Sequence, residues 1–469
     1  MTTVVPTLPM SASVVNVGLS LFADAVSDQG HSVSSVDWRI PAGGDMHLVA
    51  ALTRLYGQHA ATIDAANTEV LKRLEASPSI VGVSAAGTVV PGLEGKMLIH
   101  CGPPITYADA CDPLRRSMRA AVVAEGWTDT IESADAMLAG GHIALDSANL
   151  HDTAVPMVTA LGPSMPVWVV DNPSFGNRAF APLNQGPGEV QWFGRETPAS
   201  IARLQFLAQI AGPLLNDAIQ SHGPIDVFGW AAQGVQMGDD VHIRTQASTN
   251  LFIRNLLPHL MKLADPRRID LATWLASNHL FFLTAAMGAA RAVTGSAMSV
   301  TGSSIVTTMS RNGTDFGIRV AGSDTWYLCP APPIGQALYY AGQGPETAAK
   351  DMGDSAVLEL VGLGGPAAGG SPSVAAFVGG TMSDALATTE QMDLICAGRS
   401  SRFKIPMLDF RGTPVGVDIR KVVELGITPK VTTGILHVSD GSGQVGAGVA
   451  EAPLSCFRDA LLALDRQLA

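Results

Sequence analysis

Short apolar runs alternate with helix-period segments along the first part of this chain, and glycine or proline closes each one. Val14 to Gly18 reads as a strand, Leu19 to Gln29 as a helix, and Val33 to Trp38 as a second strand stopped by Pro41-Ala42-Gly43-Gly44. A helix over about Thr53 to Ser77 follows, then strands at Ile80 to Val83 and Lys96 to His100, the latter closed by Gly102-Pro103-Pro104. Successive strand–helix units imply crossovers and hence a parallel sheet, so the pattern predicts a Rossmann-like α/β domain over residues 1–195. Met165 to Asn172 reads as one more buried strand, with polar residues arriving where its end would meet a ligand crevice. The 49 glycines and 29 prolines fit a turn-rich α/β protein and exclude a helical repeat or coiled coil.

Beyond residue 195 the pattern changes. Thr197 followed by Pro198 opens a helix carrying Ile201, Leu204, Leu207, Ile210 and Leu214 at helical spacing, and further helices are expected near 226–236, 247–264 and 269–294. This makes residues 196–296 a helical domain, with Leu271 to Val293 as a buried core helix. A mixed α/β C-terminal domain spans 297–469. It opens with a hairpin, Ile305 to Met309 and Phe316 to Val320, around Asn312-Gly313, a pair suited to a type I′ turn. A glycine-rich stretch over 353–380 follows, then a helix near Ser383 to Gly398, strands near 405–419 and 431–437, and a last helix from Pro453 to Leu468.

Of 469 residues 47% are hydrophobic and 15% charged, with a net charge of -12, which excludes a disordered chain and a nucleic-acid binder. The first cation is Arg39, so a secretory signal is not expected and the reading is cytoplasmic, with no membrane span. Five cysteines without a CxxC pair point to reduced core residues rather than a disulfide framework or a structural zinc.

Gly441-Ser442-Gly443-Gln444-Val445-Gly446 spells GxGxxG, but too little chain follows for a dinucleotide unit, so a glycine turn with anion-cradling N–H groups is the better reading. Gly362-Leu363-Gly364-Gly365 is a second such turn. Asp239, Asp240, His242 and Arg244 crowd one short segment, read as capping and ion pairing or a weak metal signal, and Asp351, Asp354, Ser355 and Glu359 form a comparable acidic turn. Arg178, Arg311, Arg319 and Arg420 sit beside turns and suit carboxylate or phosphate recognition, with ion pairing to surplus acid as the alternative.

Taken together, Val36-Asp37-Trp38-Arg39, Pro41 to Asp45, His100 with Gly102-Pro103-Pro104, Glu125-Gly126-Trp127, Gly176-Asn177-Arg178, Met237-Gly238-Asp239 with His242 and Arg244, Arg311-Asn312-Gly313, Asp351 to Ala356 and Gly416 to Gly434 resemble the large, AllG-type (YlbE-like) subunit of bacterial oxamate carbamoyltransferase over nearly the whole chain. The resemblance implies one component of an enzyme that phosphorolyses oxalurate to oxamate and carbamoyl phosphate in allantoin breakdown. The expected partners are phosphate or carbamoyl phosphate, a ureido acid, other carbamoyltransferase subunits and further copies of the chain; no cofactor or metal is expected. Where relatives carry a His-His or His-x-His element before Gly-Pro-Met, this chain reads Asn149 to Met157, with His151 alone.

Carbamoyl transfer needs anion donors, an oxyanion donor and an acid for the leaving nitrogen. The candidates are His242 and His437 for proton transfer and Asp239 and Asp354 to orient an imidazole or amide. Arg311, Asn312, Arg319, Arg178, Asn177, Gly364, Gly365, Ser355 and Arg420 are the candidates to hold phosphate and substrate. Two alternatives stay open: a non-catalytic scaffold subunit, and a different amide- or acyl-transfer enzyme of the same catabolic class.

Overall fold

The computed structural model describes residues 13–36 and 39–469. The opening strand–helix–strand unit forms as expected: Ser13–Val17 and Ser32–Val36 pair in parallel beside the helix Ser20–Ser27. Asp37 and Trp38, the expected end of the second strand, lie outside the described residues. That pair stays a two-stranded sheet and is not extended.

The rest of the first 195 residues departs from the Rossmann-like reading. Ser79–Ala85 pairs antiparallel with Pro166–Asn172 on one side and with Ile225–Asp226 on the other. Pro166–Asn172 in turn pairs antiparallel with Asn177–Pro182. The cause is local. Gly176, at φ 70°, donates its N–H to Asn172 O (2.9 Å) and folds the chain straight back, and so tight a connection joins antiparallel neighbours. Among the described residues, parallel pairing recurs between Met97–His100 and Ala144–Ser147. The architecture is mixed α/β, with several small sheets under helices.

The expected 269–294 helix is two helices, Arg268–Ser277 and Phe281–Ala297, bent by 86°. The break falls at Asn278, whose side-chain N–H donates to Asn184 O (3.2 Å) while its carbonyl accepts from Phe281 N. Phe281–Ala297 is buried over nearly its whole length. Gly288 allows it onto the antiparallel sheet, since a Cβ there would stand 3.0 Å from Val170 Cγ2. Trp168, from that sheet, packs edge-on against Phe252 and Phe281 and donates its indole N–H to Thr284 Oγ1 (3.1 Å). No single helix among the described residues is long and apolar enough to cross a membrane.

The Asn312-Gly313 hairpin forms between Val306–Asn312 and Asp315–Val320, but not as a type I′ turn. Gly313 is left-handed (φ 84°), whereas Asn312 ends its strand and accepts the N–H groups of Thr314 and Asp315 on its Oδ1. The GxGxxG segment is the turn and first residues of a strand, Gln444–Glu451, between Ile334–Tyr339 and Lys430–Leu436 in an antiparallel sheet. It therefore opens no helix. Cys329 and Cys456, expected to be reduced, are joined in a disulfide between the strand Tyr327–Pro330 and the last helix, Leu454–Leu468.

Two main cores result. The larger surrounds Phe281–Ala297 and draws on residues from Val70 to Leu436. The second joins Leu48, Leu55 and Ile63, near the start of the chain, to Phe316, Val422 and Phe457.

Candidate functional site

The segment Met237–Thr245 links the helices Val227–Gln236 and Gln246–Leu260, and hydrogen bonds rather than regular structure fix its shape. Asp240 Oδ1 accepts the N–H groups of His242 (3.0 Å) and Arg244 (2.8 Å), its Oδ2 accepts from Thr432 Oγ1 (3.1 Å), and its carbonyl accepts Gly364 N (2.7 Å). One aspartate thereby pins the segment to the strand Lys430–Leu436 and to the 362–365 turn. Val241 is held at φ 62°, unfavourable for a β-branched residue and of the kind that concentrates at functional sites.

This geometry sets the His242 ring against Glu359. Nδ1 lies 2.7 Å from Glu359 Oε1, and the two side chains are 4% and 0% exposed. Gly365 N also donates to that oxygen (3.3 Å), while Oε2 is buried without a partner. Gly364, at φ 64°, passes so close that a Cβ would strike the carboxylate. The expected anion-cradling glycine turn does hold an anion, and the anion is the protein's own Glu359. A carboxylate on Nδ1–H leaves Nε2 as the free basic nitrogen. No group among the described residues bonds Nε2, and the ring lines a cavity of about 330 Å³.

The cavity's polar surface comes from His242, Ser355, Thr433 and Gln444, with His279 also on its wall. Burial holds the His279 imidazole below its ordinary range. Trp192, Phe193, Leu283 and Met157 contribute apolar walls. Met157, at φ 39°, is the second strained residue here, and its backbone lies against Gly353, where a Cβ would come within 2.5 Å of Met157 N.

Of the residues singled out from sequence, His242 and Ser355 line the cavity and Gly364 and Gly365 hold Glu359. The others are engaged elsewhere. Asp239 accepts from Ala247 N, Ser248 N, Ser248 Oγ and Arg244, anchoring the start of the helix Gln246–Leu260. Asp354 accepts from Gly102 N, Val155 N and Ser310 Oγ directly behind Ser355. Burial pushes both carboxyls above the usual range. Arg311 is fully buried in a bidentate pair with Asp351 (2.7 and 3.0 Å) and also donates to Gly353 O. Arg319 pairs with Asp324 from the opposite face of the same hairpin, and Asn312 donates to Pro103 O.

Arg178 pairs across strands with Asp171 and is half exposed. Asn177 bonds Asn172 and Ala292 O, and Arg420 is paired with Asp418 over the Tyr56 ring. His437 accepts Ser439 N and Asp440 N within its own turn. The turn over 439–443 presents carbonyls to cations: Ser442 O to Arg195 and Ser439 O to Arg116. In the divergent 149–157 segment, His151 is spent between Asp146 and Pro91 O, while Pro156 and Met157 reach the cavity. Among the described residues no group of three or more His, Cys, Asp or Glu is placed to hold a metal. The aromatic walls carry no motif signal, Gln444 and Thr433 fell inside the GxGxxG and Gly416–Gly434 segments without being singled out, and Glu359 stood out only as part of an acidic turn.

Fold and site define a mixed α/β protein with a cavity lined by a carboxylate-oriented imidazole. The chain belongs to the family of oxamate carbamoyltransferase subunit AllG. The family's model matches residues 143–355. The Escherichia coli K12 protein of that name is 37% identical over 410 residues, covering 86% of this chain and 98% of that one. A second E. coli K12 relative, the uncharacterized protein YahG, is 34% identical over 455 residues, 96% of each chain. The crystal structure of a conserved protein of unknown function from Enterococcus faecalis V583 matches with a TM-score of 0.85 at 34% identity, covering 87% of this chain and 99% of that one.

Proposed function

We propose that this chain is the cavity-bearing subunit of a carbamoyltransferase complex that exchanges a ureido acid and phosphate for an amide acid and carbamoyl phosphate, with oxalurate or a relative of it as the ureido acid. The observation that carries the reading, within an AllG-family chain, is the buried His242–Glu359 pair with Nε2 open to the cavity. In the reaction a phosphate oxygen attacks the ureido carbon and passes its proton to His242 Nε2. The resulting imidazolium, balanced by Glu359, returns the proton to the leaving nitrogen as the C–N bond breaks. Ser355, Thr433 and Gln444 supply neutral groups to orient the carbamoyl amide. Other subunits, and further copies of this chain, complete the assembly; Arg311 and Asp354 build the wall behind Ser355, Arg319 is spent on Asp324, and none of the three touches substrate.

A second reading, a scaffold whose partner carries the chemistry, draws on the absence of Lys and Arg from the cavity wall, where a phosphate needs positive charge. The assembled complex separates the two. His242→Gln should lower kcat by about 10²–10⁴-fold with assembly intact, and Glu359→Gln should lower it as well. Full activity of both variants in a complex of unchanged size would remove the chemistry from this cavity and leave the scaffold.

A further inference from the structure

The cavity is built for more than a carbamoyl group. Its polar side chains come from the strand Lys430–Leu436, its neighbour Gln444–Glu451 and the segments pinned to them: Thr433, Gln444, His242 and Ser355. Apart from His279, the remaining wall is mostly apolar, from Trp192, Phe193, Leu280 and Leu283 within and Tyr340 and Phe377 at the exposed mouth. Among the described residues no Lys, Arg, Asp or Glu lines the space.

This wall is assembled in advance. Trp192 and Phe193 stack at 4.7 Å, both buried, and the indole N–H is committed to Gly186 O (3.0 Å), so the ring offers an apolar surface without an unmet donor. A two-carbon oxo acid carrying one urea group would reach the polar side and leave these rings facing water. It would also find no cation for its carboxylate. A cavity of about 330 Å³ is in the range that encloses a much larger ligand.

We infer that the substrate is a ureido compound with a bulky apolar body, of the class of N-carbamoyl amino acids with aromatic or branched side chains. The carbamoyl group meets His242, Ser355, Thr433 and Gln444, the apolar body lies against Trp192, Phe193 and Leu283, and any carboxylate faces the open mouth. The assignment rests on the carbamoyl-transfer reading and puts an amino acid in place of the amide acid as the product that leaves.

Titration calorimetry on the full chain with N-carbamoylphenylalanine, oxalurate and N-acetylphenylalanine tests it. N-carbamoylphenylalanine should bind about tenfold or more tightly than either of the others. Phe377→Ala, at the mouth, and Leu280→Trp, which fills the space from a half-buried position, should each weaken it about tenfold with unchanged circular dichroism. Oxalurate binding as tightly as N-carbamoylphenylalanine, or indifference to both substitutions, overturns the assignment and leaves the carbamoyl-transfer reading standing. Equal binding of N-acetylphenylalanine overturns the carbamoyl-transfer reading instead, and the assignment with it. Binding of none of the three overturns the assignment, since the cavity is complete within this chain.

Discussion

Gly364→Ala probes the geometry of the His242–Glu359 pair without touching either partner. An alanine Cβ at this position would overlap Glu359 Oε1, approach its Cδ to 2.7 Å and His242 Nδ1 to 3.1 Å. Two costs add. The first is backbone: Gly364 sits at φ 64°, ψ -126°, outside the left-handed helical region, where a side chain costs about 1–3 kcal/mol. Gly426 shares that φ but sits at ψ 18°, in the ordinary left-handed region with open space around it, so Gly426→Ala sets the floor of this cost, about 1 kcal/mol. The second is loss of the bonds from His242 and Gly365 to a buried carboxylate, about 1.5–3 kcal/mol for a charged partner. Gly364→Ala should therefore lose about 3–6 kcal/mol in denaturant unfolding and Gly426→Ala about 1. A cycle with Glu359→Ala sharpens the comparison, because without the carboxylate the Gly364 change should fall back to its backbone cost of about 1–3 kcal/mol. Equal losses for Gly364→Ala and Gly426→Ala would refute the placement of Glu359 against this turn, and with it the orientation of His242.

Other parts of the fold yield sharp expectations of their own. His100 is fully buried, with Nδ1 on Cys101 O and Nε2 unpartnered, and burial holds its imidazole below the ordinary value of about 6.5. As pH falls below that value the unfolded chain binds a proton that the folded chain refuses, so stability present above it is lost at up to about 1.4 kcal/mol per pH unit. Unfolding midpoints of the wild type should fall between about pH 7 and pH 5 more steeply than those of His100→Gln, and parallel profiles would count against a neutral buried His100. Arg311→Met should cost about 3–5 kcal/mol by stranding Asp351, and adding Asp351→Leu should restore much of it. A double variant as unstable as the single one would mean that Arg311 acts through something other than that pair.

Elements whose signals lie within a few residues were legible in the sequence. The parallel unit at the start, the Thr197-Pro198 helix start, the 306–320 hairpin and the last helix all formed where periodicity and turn chemistry put them. The parallel sheet did not. Strand order depends on which strands meet, and the Asn172–Gly176 turn sent Asn177–Pro182 back along Pro166–Asn172. The 269–294 run was misread for a related reason, since both halves are apolar at helical spacing and the bend depends on Asn278 reaching Asn184.

The candidate site divides in the same way. Composition and turn residues marked His242, Ser355 and the glycines at 364 and 365, because imidazoles among carboxylates and left-handed turns are written locally. They could not tell a substrate-binding arginine from a structural one. Arg311 and Arg319 occupy facing strands of one hairpin, yet register turns them to opposite faces, and each finds its own carboxylate. What the sequence determined by itself was family membership, the turn-rich α/β class and a short roster of polar candidates. Tertiary structure alone decided the rest: Glu359 stands 117 residues from the histidine it orients, and the cavity walls come from segments scattered between Pro156 and Ala447. Such groups are brought together by burial of the apolar elements that carry them, a property of the packed chain and not of any local pattern.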